Sequence, residues 1–264
     1  MSTMLRRFAI LAALALLVLL LTPTSHASGA AASRSARPQA GAPETQLWQA
    51  ANRDRAAAGL PPLQWDMSLA AAAQQHAQRM ARSNTLSHQF AGELTLQQRA
   101  TQAGARFSLI AENVAEGPNA SNLHQQWMNS PPHRANLLDP ELNAVGIAVV
   151  QNGGMLFAVE DFCAAVPALD LDAQELQVAT QLSGLGLRMV SATADARKTC
   201  DMERGWSGQK PLSVVRYETP DLRHLPEDLE QKLQTGRFHT AAVGACDAGT
   251  SAGFTRFRIA ILLF

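Results

Sequence analysis

The first patterned stretch is an unbroken apolar run from Phe8 to Leu21, preceded by Arg6 and Arg7 and followed by Thr22-Pro23 and small residues. That layout predicts a secretory signal peptide over residues 1–27, with Ser25-His26-Ala27 as a small-x-small site cleaved after Ala27. The run is shorter than the ~20 residues that cross a bilayer comfortably, so no stable membrane span is expected once the leader is removed. An uncleaved N-terminal anchor is the alternative; both place the folded part outside the cytoplasm. No Cys follows the run, which rules out a lipid anchor at that site. Residues 28–43 carry Ala, Ser, Gly and Pro without apolar periodicity and read as a flexible linker.

Helical spacing begins at Glu44. Leu47, Ala50, Ala51 and Asp54 fall at that spacing, and Gly59 with Pro61-Pro62 closes the helix. A second stripe, Leu69, Ala72, Ala73, His76, Ala77 and Met80, follows a cap at Asp66 or Ser68 and ends before Ser83-Asn84. A short helix spans about 94–103, and another, 119–130, carries Leu123 and Trp127 on one face until Pro131-Pro132 stops it. Residues 144–150 and 155–162 are β-rich runs joined by Gln151-Asn152-Gly153-Gly154, a hairpin signal. After Val166 the pattern restarts, with helices near 173–183 and 227–234 and strands at 212–217, 238–245 and 254–262. The chain therefore reads as α+β, with one unit over 44–165 and a second, smaller α+β unit over 166–264. The sequence shows no internal repeat between the halves.

Composition and charge narrow the classes. With 264 residues the chain can hold two domains, and its 47% hydrophobic content excludes disorder throughout. Lys+Arg and Asp+Glu number 22 each, without a long run of either sign, so no nucleic-acid partner is indicated. In an exported chain the three Cys can be disulfide partners. Cys200 and Cys246, both in the C-terminal part, are the expected pair, leaving Cys163 as a buried free thiol or an intermolecular partner.

Several short stretches, in order, carry a specific resemblance: Asn52-Arg53, Leu63-Gln64-Trp65-Asp66, Leu69-Ala70 through Met80-Ala81, Ser87-His88, Glu112-Asn113-Val114-Ala115, Trp127 to Pro131, His133 to Leu138, and Val145-Gly146-Ile147. Together they resemble the bacterial branch of the CAP family, the cysteine-rich secretory, antigen 5 and PR-1-like proteins, also known by the SCP domain. The resemblance covers about Glu44 to Ala164 and implies an α-β-α sandwich around a small antiparallel sheet with a central cavity. It says nothing about the segment after Val166. In that family two His and two acidic residues line the cavity. Carried over by motif, these fall on His88, Glu112 and His133, while the position of the second acid holds Ser130, which can only donate or accept a hydrogen bond.

Two imidazoles and a carboxylate could hold zinc with a position left for water. They could equally hydrogen-bond to one another and fix the loops, or take part in catalysis. The resemblance thus leaves open an extracellular protein binding a lipid, a cell-wall fragment or a partner protein, a zinc-dependent hydrolase of peptidase type, and a scaffold acting through its C-terminal unit. Whether the protein is an enzyme stays open. His76, on an apolar stripe, reads as a core or cavity-edge residue, His124 as solvated surface, and Trp48, Trp65 and Trp127 as core packing. Asn119-Ala120-Ser121 fits a glycosylation sequon, relevant only in a eukaryotic secretory pathway, and Gly184-Leu185-Gly186 lacks the rest of a dinucleotide loop. No His-Glu-x-x-His, Gly-x-Ser-x-Gly or phosphate-binding Gly-Lys loop occurs, so those mechanisms lack their local signatures.

Overall fold

The structure is a computed structural model that describes residues 41–251 and 253–264; the expected leader and all but the end of the linker fall outside them. Helix α1 (Ala42–Ala57) starts inside the expected linker, because Pro43 in its first turn needs no hydrogen-bond partner for a missing N–H. Strand β1 (Gln64–Trp65) leads into α2 (Met67–Ser83), capped by the Asp66 carboxylate, which accepts from the N–H groups of Ser68 and Leu69. Asn84 ends α2 in the left-handed conformation, with φ 46°. The short α3 (Leu96–Gln102) opens with a reciprocal capping box between Thr95 and Gln98.

Next come β2 (Phe107–Gly117), α4 (Ala120–Asn129), α5 (Pro131–Leu137), β3 (Ala144–Asn152) and β4 (Met155–Ala165). The hairpin between β3 and β4 turns at Gly153 and Gly154, both at positive φ, as the Asn-Gly signal implies. Two elements add to the expected pattern. Pro131-Pro132 ends α4 but also begins α5, since proline fits a first helical turn. The segment around Glu112-Asn113 is a full strand, β2, which its polar centre concealed.

The sheet order is β1-β3-β4-β2, antiparallel throughout its three long strands, with β1 added parallel to β3. On one face α1, α4 and α5 pack Leu47, Leu123, Trp127 and Leu137 against Val145, Ile147, Ala158 and Phe162. On the other, α2 packs Ala73, Ala77 and Met80 against Val114, Ala148, Phe157 and Val159. This is an α-β-α sandwich. Small side chains along α2 let it lie close to the sheet, and Gly146 meets it where a Cβ would stand 2.0 Å from the Ala70 backbone nitrogen.

The remaining chain forms α6 (Leu171–Gly184), β5 (Arg188–Met189), α7 (Thr193–Asp201), β6 (Ser213–Thr219), α8 (Glu227–Gln234), β7 (Thr240–Cys246), β8 (Thr250–Ser251), β9 (Phe254–Thr255) and β10 (Phe257–Leu263). The strand expected over 254–262 is broken at Arg256, and α7 was not foreseen because its exposed face is polar and its stripe short. Strand order is β5-β7-β10-β6, with β5 parallel to β7 and the other pairs antiparallel. Helices α6 and α8 bury Val178, Leu182, Leu229 and Leu233 against Val243, Ile259 and Ile261. On the opposite face α7 sets Ala196 against Ala242 and Leu262, and the Cys200–Cys246 disulfide ties it to β7. Cys163 is a fully buried free thiol, its pKa pushed up to about 12 by burial. Among the described residues no helix is long and apolar enough to cross a membrane.

Candidate functional site

Strand β2 is an edge of its sheet, so groups from both helical layers reach its outer side. Alternation along it turns Glu112 toward α2 and Asn113 toward α5. The Glu112 carboxylate is the hub. One oxygen receives His88 Nδ1 at 2.9 Å, and the other receives the Arg99 guanidinium from α3. His76 Nε2, from α2, stands 4.0 Å from that second oxygen. Arg99 and His76 are buried, whereas 58% of the His88 side chain is exposed, so the cluster is reached from solvent through His88.

Asparagines lock α5 to this strand. Asn113 Nδ2 donates to the His133 carbonyl at 3.1 Å, and Asn136 Nδ2 donates to Asn113 Oδ1 at 2.9 Å. The His133 ring is thereby set beside His88, with centroids 6.4 Å apart and planes 37° from each other. Of the three residues expected together, His88 and Glu112 touch, and His133 faces His88. Ser130 lies at the joint of α4 and α5, where its backbone N–H closes α4 and its carbonyl opens α5; its side chain forms no cap bond.

The two imidazoles are driven apart electrically. The hydrogen bond to Glu112 raises the His88 pKa, while burial, and then the charge of His88, lowers that of His133. Behind them sit two acids that motif reasoning missed. Asp161 pairs directly with Glu112 across β4 and β2, is fully buried, and has neither oxygen hydrogen-bonded to a donor among the described residues. Burial, and then the adjacent Glu112 charge, raise its pKa well above the usual carboxylate range. Glu160, on the other face, is pushed up to about 8 by burial, and among the described residues its one partner is Asn113 Nδ2, at 3.4 Å. Two consecutive acids inside the apolar run 155–163 were the legible signal for both. Arg99 left none, sitting in a short polar helix.

The zinc expectation can be tested on this donor set. Glu112 has both oxygens engaged, by His88 and by Arg99, and among the described residues no three His, Cys, Asp or Glu side chains converge as metal ligands. The arrangement does not fit a zinc ion. His76 is a satisfied core residue, fully buried, with Nδ1 2.8 Å from Glu93 Oε1 and Nε2 2.7 Å from the Ser87 carbonyl. His124 departs from its surface reading, since its Nε2 lies 2.6 Å from Asp54 Oδ2 and its side chain is only 15% exposed. Trp127 is fully buried, and Trp48 stacks edge-on to Trp65 at 5.8 Å while donating to the Leu63 carbonyl.

Comparison with known proteins bears on this part of the chain. Residues 48–162 match the model of the cysteine-rich secretory protein family, CAP. The Bacillus subtilis protein YkwD is 30% identical over 113 residues, which are 42% of this chain and 44% of that protein. A solved Bacillus anthracis structure, an extracellular protein containing a SCP domain, is 30% identical, covering 45% of this chain and 39% of its own, with a TM-score of 0.42. An outer surface protein of Borrelia burgdorferi is 22% identical, covering 47% of this chain and 92% of its own, with a TM-score of 0.44. The chain spans less than half the length of the curated relatives it matches. On the family match and the bacterial likeness, residues 48–162 are a CAP domain of the bacterial branch.

Proposed function

We propose that this protein is exported and that the His88–Glu112–His133 cluster binds a polar extracellular ligand, with a cell-wall fragment as the class that fits best. The observation that carries this reading is the pair of imidazoles held at the rim of the CAP domain, one turned toward its cationic form by Glu112 and one toward its neutral form. Such a pair offers a donor with positive charge beside an acceptor, which suits a ligand bearing carboxylates and hydroxyls better than an acyl chain. Export is supported by the leader-like N-terminus and by the Cys200–Cys246 disulfide, which persists in oxidising surroundings. The reading treats 44–165 and 166–264 as two domains, with recognition in the first.

The split imidazoles also favour a second, metal-free reading, in which His133 takes a proton and His88 returns one during hydrolysis of the bound fragment. Calorimetric titration of the mature chain with soluble peptidoglycan fragments tests the first reading. His88→Ala and Glu112→Ala should each weaken binding by roughly tenfold or more, the size of a charge-assisted hydrogen bond. Equal affinity in both variants and the parent would sink it, and release of cleaved products, lost in His133→Ala, would move the protein to the second reading.

A further inference from the structure

The two sheets repeat one design that the sequence hides. Helix, short strand, helix, strand, helix, strand, strand describes α1 to β4, setting aside α3 and counting α4 and α5 as one layer; the same order describes α6 to β10, setting aside β8 and β9. The pairings coincide too. β1 runs parallel to β3 as β5 does to β7, and β4 and β10 lie at the same place in their sheets. Asp161 faces Gly146 on one side and Glu112 on the other, and Ala260 faces Gly244 and Arg216 in the same way. Both glycines lie against helix backbone. A Cβ on Gly146 would stand 2.0 Å from the Ala70 nitrogen of α2, and one on Gly244 would stand 2.2 Å from the Ala196 carbonyl carbon of α7.

This register exposes what the second copy has lost. Arg216 stands where Glu112 stands, Ala260 where Asp161 does, Ile259 where Glu160 does and Tyr217 where Asn113 does. The Arg216 guanidinium folds back to the carbonyls of Thr199, at 2.9 Å, and Gly205, at 2.6 Å, across the space a polar cluster would need. In exchange the second copy carries an insertion between β7 and β10, where the first has a tight turn at Gly153-Gly154. The β9 end of that insertion reaches the first copy. Thr101 Oγ1 of α3 donates to the Gly253 carbonyl at 3.2 Å, and the Phe254 ring meets Phe107 edge-on at 5.6 Å. Phe254 packs on the cluster of Leu69, Ala100, Ala105 and Phe107.

What this contact holds matters for the site. Helix α3 has seven residues, too few to persist without tertiary support, and it delivers Arg99 to Glu112. We infer that residues 166–264 are a second copy of the CAP sandwich whose polar cluster has been replaced, and that its Phe254 is a positioning residue, clamping α3 so that Arg99 stays on Glu112. The inference concerns the build of the same cluster and holds whether or not that cluster binds a cell-wall fragment.

Hydrogen exchange of the full chain, read peptide by peptide without any ligand, tests it. In Phe254→Ala the amides of residues 96–102 should exchange roughly tenfold faster, as expected when a short helix loses the buttress on its outer side and opens locally. Phe254→Tyr, which keeps the ring edge, should restore most of the protection. Leu229→Ala empties a core position of the second copy away from α3, and should lower the melting temperature while leaving 96–102 protected. Should Phe254→Ala fail to fold, Thr101→Val, which removes only the bond to Gly253, should give a smaller rise of about threefold in the same amides. Unchanged exchange of 96–102 in the folded Phe254 or Thr101 variant, or equal acceleration in Leu229→Ala, would overturn the clamp.

Discussion

Glu160 shows how far a single side chain can set the pH behaviour of the fold. Its carboxyl is fully buried, one oxygen has no partner among the described residues, and burial pushes its pKa up to about 8. A group whose folded pKa is raised binds more protons in the native state than in the unfolded chain, so its contribution to stability falls as pH rises from the ordinary carboxylate range to about 8. The penalty at alkaline pH is on the order of a few kcal/mol, at ~1.4 kcal/mol per unit. Glu160→Gln keeps the shape and the oxygen facing Asn113 but cannot ionise. It should raise the denaturation midpoint at pH 8.5 and flatten the decline between pH 5 and 8.5; an identical pH slope in parent and variant would refute the assignment. Asp161, shifted the same way, leaves some of the slope in place.

At the scale of elements, the close approach of α2 to β3 depends on one missing methyl group. A Cβ at Gly146 would collide with the backbone at Ala70 and Leu69, atoms that cannot swing aside as a side-chain tip can. Gly146→Ala should therefore cost about 2 kcal/mol or more by prying the helix off the sheet. Gly184→Ala, at the end of α6 with nothing within 4 Å, should be neutral or mildly stabilising. Urea unfolding of the two variants side by side measures the contrast, and equal midpoints would contradict it.

How much of these elements could be read beforehand follows from the same physics. Stripes of Ala and Leu announce α1 and α2, and Asn152-Gly153 announces the β3–β4 turn, because burial there is one-sided and periodic. Strand β2 was hidden because the site interrupts its apolar pattern with Glu112 and Asn113. Helix α5 was hidden by two prolines that stop one helix and start the next. For the site, motif order pointed to His88, Glu112 and His133, whereas Arg99 and Asp161 depend on contacts across strands and helices that no local spacing encodes. The repeated sandwich was illegible because strand pairing and layer order survive where side-chain identity has changed, as at Glu112 and Arg216.

Over the whole molecule, the cross-link lies where the second copy is thinnest. Helix α7 has nine residues against the 17 of α2, and Cys200–Cys246 pins it to β7 across a sequence separation of 46. Replacing both cysteines by alanine should lower stability by about 2–4 kcal/mol, chiefly by freeing the unfolded chain. Guanidinium unfolding of the double variant checks this, and an unchanged midpoint would show that packing alone holds α7.

Cys163 sits in the central strand of the first sandwich, all of whose elements precede Val166, while Cys200 and Cys246 come later in the chain. The closed first sandwich covers the Cys163 sulfur, so neither later thiol reaches it in the folded chain. Of the three pairings open to three thiols, that burial removes two and leaves Cys200 with Cys246.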